Sequence, residues 1–110
     1  MFMKYYAGLD VSLKTTAVCV VDHDGTVIKE GMVNSDPQTI TTFLVDLGLV
    51  FERVGLEAGS LAPWLYHGLS ASGLPVLCLE TRHAKAALQA QTVKTDRNDA
   101  RGLAHIMRTG

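Results

Sequence analysis

Apolar positions come in short runs along the first half of this chain, and each run closes on a polar or turn-forming residue. Tyr5-Tyr6-Ala7-Gly8-Leu9 ends at Asp10, so residues 3–10 read as a strand. Thr15-Thr16-Ala17-Val18-Cys19-Val20-Val21-Asp22 reads as a second strand. His23-Asp24-Gly25 is a tight turn, because Asp-Gly supplies the positive φ that a hairpin needs. Thr26 to Val33 returns as a third strand. Then the period changes. Ser35 or Asp36 can cap a helix, Pro37 suits its first turn, and Ile40, Phe43, Leu44 and Leu47 recur at helical spacing until Gly48.

From there strands and helices alternate. Glu52 to Glu57 is a short buried strand around Val54-Gly55-Leu56. A loop at Ala58-Gly59-Ser60 leads into a helix through Trp64, Leu65, Leu69 and Ala71, with Trp64 expected in the core beside Leu61 and Leu65. Gly73-Leu74-Pro75 breaks it. Val76 to Leu79 is a fifth strand, residues 81–91 are helical, and a last helix starts at Thr95. The order is β-β-β-α-β-α-β-α-α, without repeats or a linker, and reads as one domain. A three-stranded meander followed by alternating α and β is the connectivity of the ribonuclease-H-like fold. It predicts a mixed five-stranded sheet with the first strand central, antiparallel to the second, and ending beside the fourth. Asp10 and Glu57 are then neighbours.

Size and composition narrow the classes. The 110 residues are 47% hydrophobic, enough for one real core and too apolar for a disordered chain. No apolar stretch approaches the ~20 residues needed to span a bilayer, and the first residues lack a cleavable signal pattern. A cytoplasmic protein is expected. Cys19 and Cys78 lie in apolar strands without CxxC spacing and read as reduced core thiols. The chain closes on Ile106-Met107-Arg108-Thr109-Gly110, a helix reaching a glycine stop, and a piece of a longer protein is expected.

The net charge of −1 conceals a split: residues 1–79 sum to −4 and residues 80–110 to +3. The basic side chains Arg82, Lys85, Lys94, Arg97 and Arg101 surround two acids, Asp96 and Asp99. That pattern suits a polyanion held beside a metal site, or simply a solvated helix face.

Four carboxylates carry the candidate chemistry. Asp10 and Glu57 each end an apolar strand. Asp10 alone could be a turn cap, but glutamate has neither strand preference nor a capping habit. Asp96 and Asp99 are one helical turn apart. Acids favour a helix's first turn, yet these two share the apolar side of Ala100, Leu103, Ile106 and Met107. Like charges gathered there cost energy, which a cation removes. Oxygen donors of this kind suit Mg²⁺ or Mn²⁺. Two such ions roughly 3.5–4 Å apart can activate a hydroxyl and stabilise the leaving oxygen of a phosphodiester. The four histidines show no metal-binding spacing. Ser12 and Ser60 have no identifiable base.

Gly8-Leu9-Asp10-Val11-Ser12, Leu56-Glu57-Ala58 and Lys94-Thr95-Asp96-Arg97-Asn98-Asp99-Ala100 resemble the amino-terminal domain of DEDD-type insertion-sequence transposases. These are relatives of the Piv invertase, with a catalytic fold like that of the Holliday-junction resolvase RuvC. The resemblance covers essentially the whole chain, 1–110, and all four acids stand in order. It implies a DNA recombinase using Mg²⁺ or Mn²⁺, with Asp10, Glu57, Asp96 and Asp99 catalytic. It also implies a carboxy-terminal domain bearing a serine nucleophile, absent here, a structured bridge RNA that guides DNA choice, and an oligomeric working unit. Two other readings stay open. Asp10-Val11-Ser12-Leu13-Lys14-Thr15-Thr16 is a passable phosphate loop of an actin or sugar-kinase ATPase lobe, although its second glycine-rich loop is missing. A non-catalytic module that binds nucleic acid or self-associates is the other.

Overall fold

A computed structural model of the chain describes residues 3–80 and 96–110. The strands are β1 (Tyr5–Val11), β2 (Thr15–Asp22), β3 (Val27–Asn34), β4 (Phe51–Glu57) and β5 (Val76–Leu79). The helices are α1 (Pro37–Val45), α2 (Ala62–Ala71) and α3 (Asp96–Thr109). The helix expected over 81–91 lies outside the described residues. The sheet order is β3-β2-β1-β4-β5. β1 is central, antiparallel to β2 and parallel to β4, which is parallel to β5. This is the mixed five-stranded, ribonuclease-H-like sheet that the element order predicts.

Local chemistry sets the element ends. At the β2–β3 turn, the Asp22 carboxylate accepts the N–H groups of Asp24 and Thr26 at 2.9 and 3.0 Å. Gly25 takes φ 86°. Of the two candidate caps of α1, Asp36 is the one used: Oδ1 accepts the Thr39 N–H at 2.8 Å and Oδ2 the Thr39 hydroxyl at 2.7 Å. The Thr39 amide, first among the causes, holds the Asp36 carboxyl below its ordinary pKa. Ser35 is buried instead, sharing a 2.7 Å hydrogen bond with Thr16 and donating to the Ser12 carbonyl at 2.6 Å. It ties the β1–β2 turn to the end of β3. Helix α1 stops at Val45, short of the expected Gly48. The chain tightens there into bonds from Leu47 to Leu44 and from Gly48 to Val45, and Gly48 takes φ 70°.

Side chains alternate across the sheet, so each strand feeds two cores. Ala7, Leu9, Val18, Val20, Val54 and Leu56 pack under α1 and α2 against Ile40, Leu44, Leu65 and Leu69. On the other face Tyr6, Ala17, Cys19 and Val21 pack under α3 against Ala100, Ala104 and Met107. Gly8 lets α3 approach closely. A Cβ there would run into the Ala100 carbonyl, the Ala104 amide and, at 2.8 Å, the Leu103 Cβ.

Two expectations about the core are corrected. Trp64 is 53% exposed. Helix α2 buries Ala62, Leu65 and Leu69, and Trp64 falls on its opposite side. Cys78 is exposed: among the described residues β5 is an edge strand, paired with β4. Cys19 is a core thiol, and burial, with the Glu30 carboxylate adding to it, pushes its pKa up to about 11. No helix among the described residues is long and apolar enough to cross a membrane.

Candidate functional site

The β1–β4 ladder runs to Leu9 opposite Leu56. The next residue on each strand is an acid, so Asp10 and Glu57 stand side by side at the carboxyl ends of adjacent parallel strands. Alternation puts Asp10 on the face of Gly8, and Glu57 on the face of Gly55. Both glycines lie beneath α3, Gly8 against Ala100 and Ala104, and Gly55 against Met107. Both acids are half-buried. They line one open cleft of about 360 Å³, together with Ser12 and Leu13 of the β1–β2 turn and Gly59 and Ser60 of the β4–α2 loop. The site therefore sits on turns and strand ends held by the sheet, the usual place for chemistry in an open α/β sheet.

Helix α3 brings the remaining acids. Gly8 lies against Ala100, whereas Gly25, in the turn beyond the amino-terminal end of β1, lies against His105 and Arg108, so α3 runs antiparallel to β1 and β4. Its amino-terminal end at Asp96 points toward the carboxyl ends of those strands. Asp99 is half-buried, one residue before the buried Ala100. The side chain of Asp96 lies outside the described residues. Among the described residues, no three Asp, Glu, His or Cys side chains gather closely enough to hold a metal ion. The donor set nevertheless fits a hard divalent cation. Asp10 and Glu57 supply only carboxylate oxygens and share one cleft, and strand alternation sets both on the sheet face that α3 covers. The positive end of the α3 dipole is directed at this acidic edge.

Of the basic residues, Arg82, Lys85, Lys94 and the side chain of Arg97 lie outside the described residues. Arg101 is described, and it forms a fork with Glu30 of β3: Nε donates to Oε2 and Nη2 to Oε1, both at 2.8 Å. The hydrogen bonds to Glu30, then its charge, raise the guanidinium pKa further. Sequence reading missed two residues that hold α3. Glu30 gave no signal, since its partner is 71 positions away. Arg53 gave one: a charge inside an apolar strand, two residues before Gly55. It donates from Nε to the Met107 carbonyl and from Nη2 to the Arg108 carbonyl, and its guanidinium lies 5.2 Å from the Tyr6 ring centre. This caps the carboxyl end of α3, where a cation is favoured.

A family model of DEDD transposases of the IS110 type, described as "Transposase", matches residues 7–110. No curated protein matches the sequence. Among solved structures the chain is similar to that of Thermus thermophilus RuvC, with TM-score 0.62 and 15% identity over 96% of each chain. It is also similar to T. thermophilus RuvC in complex with Holliday junction substrate, with TM-score 0.59 and 14% identity over 94% of this chain and 90% of that one. At such identity the likeness is one of fold.

Proposed function

The chain belongs to the DEDD transposase family of the IS110 type, with a RuvC-like fold and a nuclease-type transposase function, and on that premise we propose that Asp10, Glu57, Asp96 and Asp99 form its metal-dependent DNA-cleaving centre. The single observation that carries this reading is the placement of Asp10 and Glu57 side by side in one cleft at the carboxyl ends of β1 and β4. The backbones of Asp10 and Glu57 are held by pairing with Ala17 of β2 and Leu79 of β5, so the two acids start from fixed positions. Asp96 and Asp99 stand one turn apart at the start of α3, the helix that covers the same sheet face. Bound Mg²⁺ or Mn²⁺ would lower the pKa of an attacking hydroxyl and neutralise charge gathering on the phosphodiester. The substrate is DNA, by analogy with RuvC, which is seen bound to a Holliday junction. The serine-bearing second domain, guide RNA and homo-oligomer implied by the resemblance complete the proposed working unit, set in the cytoplasm, in which residues 1–110 are the catalytic domain.

Melting in the presence of Mg²⁺, Mn²⁺ or ATP tests the centre. A ligand of the folded state stabilises by mass action, about 2.7 kcal/mol when its concentration is about one hundred times Kd. Mn²⁺ is expected to raise Tm by several degrees, and Asp10→Asn to remove the rise. An ATP-dependent rise with no response to Mn²⁺ would move the chain to the kinase-like lobe.

Arg82, Lys85, Lys94 and Arg97, with the donors of Arg101 not used by Glu30, lead the DNA backbone to the acids. Such contacts position a strand without reading its sequence. Lys85→Gln in the full-length protein with its guide RNA is expected to reduce the log–log salt slope of DNA binding by roughly 0.7–0.9. The reduction should be equal for unrelated sequences. An unchanged slope would leave this segment a solvated face.

A further inference from the structure

Glu30 lies on β3, on the same edge strand as the exposed Val27, Ile28 and Met32, and far in sequence from any acid of the centre. It pairs in register with Cys19, whose side chain belongs to the core under α3. Glu30 therefore rises on the α3 side and meets Arg101 in a two-bonded fork, with the side chains 25% and 39% exposed. Arg101 is two residues past Asp99 and five past Asp96, on the same first turns of α3.

Around Gly8 the contact between α3 and the sheet is made by small groups, while Tyr6, Val21 and Met107 pack further along. Gly8 meets the Ala100 and Ala104 backbone, and Ala17 lies in the same core. A surface of this kind fixes the distance between helix and sheet but resists rotation or sliding weakly. One residue of slip turns a helix by about 100° and moves it about 1.5 Å. Two polar ties supply what the small groups do not: Arg53 grips the carboxyl-terminal carbonyls, and Glu30 grips the amino-terminal half through Arg101. A planar two-bonded pair fixes orientation as well as distance. The structure assigns Glu30 the role of a positioning residue: through Arg101 it sets the rotation of α3 that presents Asp96 and Asp99 to Asp10 and Glu57. This rests on the acidic centre proposed above.

A half-exposed ion pair contributes little to stability. A purely structural role for Glu30 therefore predicts normal melting and normal turnover in Glu30→Gln. A positioning role predicts normal melting with slowed chemistry, since misplacement by about 1 Å can cost roughly 10²-fold. The test uses full-length transposase with its guide RNA and measures DNA cleavage at varied DNA and Mn²⁺. Glu30→Gln is expected to lower kcat roughly 10–10²-fold on that scale. The KM for DNA should not rise, and the Mn²⁺ concentration giving half-maximal rate should increase. The exchanged pair Glu30→Arg with Arg101→Glu is expected to recover much of the lost kcat and the Mn²⁺ response while the KM for DNA rises, because the DNA-backbone contact of Arg101 is lost with it. Wild-type kcat and Mn²⁺ response in Glu30→Gln would overturn the proposal. So would a defect in Arg101→Lys confined to the KM for DNA while Glu30→Gln stays normal, which would leave Arg101 a phosphate contact only. Asp10→Asn is measured alongside. If it cleaves normally, the acidic centre itself fails, whatever Glu30 shows.

Discussion

Asp10→Ala, Glu57→Ala, Asp96→Ala and Asp99→Ala, each made singly in the full-length protein, are expected to abolish DNA strand exchange while leaving the fold intact. Removing one preorganised group that stabilises developing charge commonly costs roughly 10²–10³-fold in rate, and loss of a metal ligand is at least as severe. The fold should survive because these side chains are not what the cores are built from. Asp10 and Glu57 are half-buried at strand ends, beyond the last apolar pair Leu9 and Leu56. The cores under α1, α2 and α3 are apolar. Circular dichroism and melting should therefore match wild type while recombination is lost. Recombination at the wild-type level by Asp96→Ala would remove that residue from the centre. Wild-type activity in both Asp10→Ala and Glu57→Ala would dismantle the centre altogether.

The part of the site carried by strands was legible because strand order converts two distant sequence positions into neighbours. Apolar runs ending at Asp10 and Glu57 sufficed, once the meander placed the first strand beside the fourth. The path of α3 was legible from its apolar stripe, of which Ala100, Leu103 and Met107 are buried and Ile106 half-buried, and Ala104 is buried beside them. What failed depended on partners that local patterns do not name. Helical spacing in α2 left Trp64 on either of two sides, and only the position of the sheet decides that Ala62, Leu65 and Leu69 are inside. Cys78 occupies a strand as apolar as that of Cys19, but one is at the edge and the other next to the centre. Ser35 and Asp36 were equal caps by propensity, and Thr16 and Ser12 took Ser35 away. Glu30 and Arg101 are each ordinary surface residues until the fold joins β3 to α3.

Gly8→Ala is expected to be the most damaging single-methyl change in the described residues, and the comparison with Gly55→Ala shows why. Both glycines lie beneath α3, and an added Cβ at either falls well inside van der Waals contact. At Gly55 the obstruction is the Met107 side chain, with its Sδ 2.6 Å away. Methionine is unbranched and can move to another rotamer, so part of the cost is recovered. At Gly8 the obstruction is backbone, the Ala100 carbonyl and the Ala104 amide, with the Leu103 Cβ at 2.8 Å. Those atoms can be cleared only by lifting the whole helix from β1. Overpacking in a rigid core costs typically about 1–3 kcal/mol, and displacing backbone belongs at or above the upper end. Lifting α3 also opens the core of Tyr6, Ala17, Cys19 and Val21 to water. Denaturant melting should therefore show Gly8→Ala destabilised by about 3 kcal/mol or more, and Gly55→Ala by clearly less. Because α3 carries Asp96 and Asp99, whatever Gly8→Ala protein remains folded should also respond more weakly to Mn²⁺. Equal stability of the two variants would mean that α3 is not seated on β1 through Gly8, and the helix that completes the acidic edge would need another anchor.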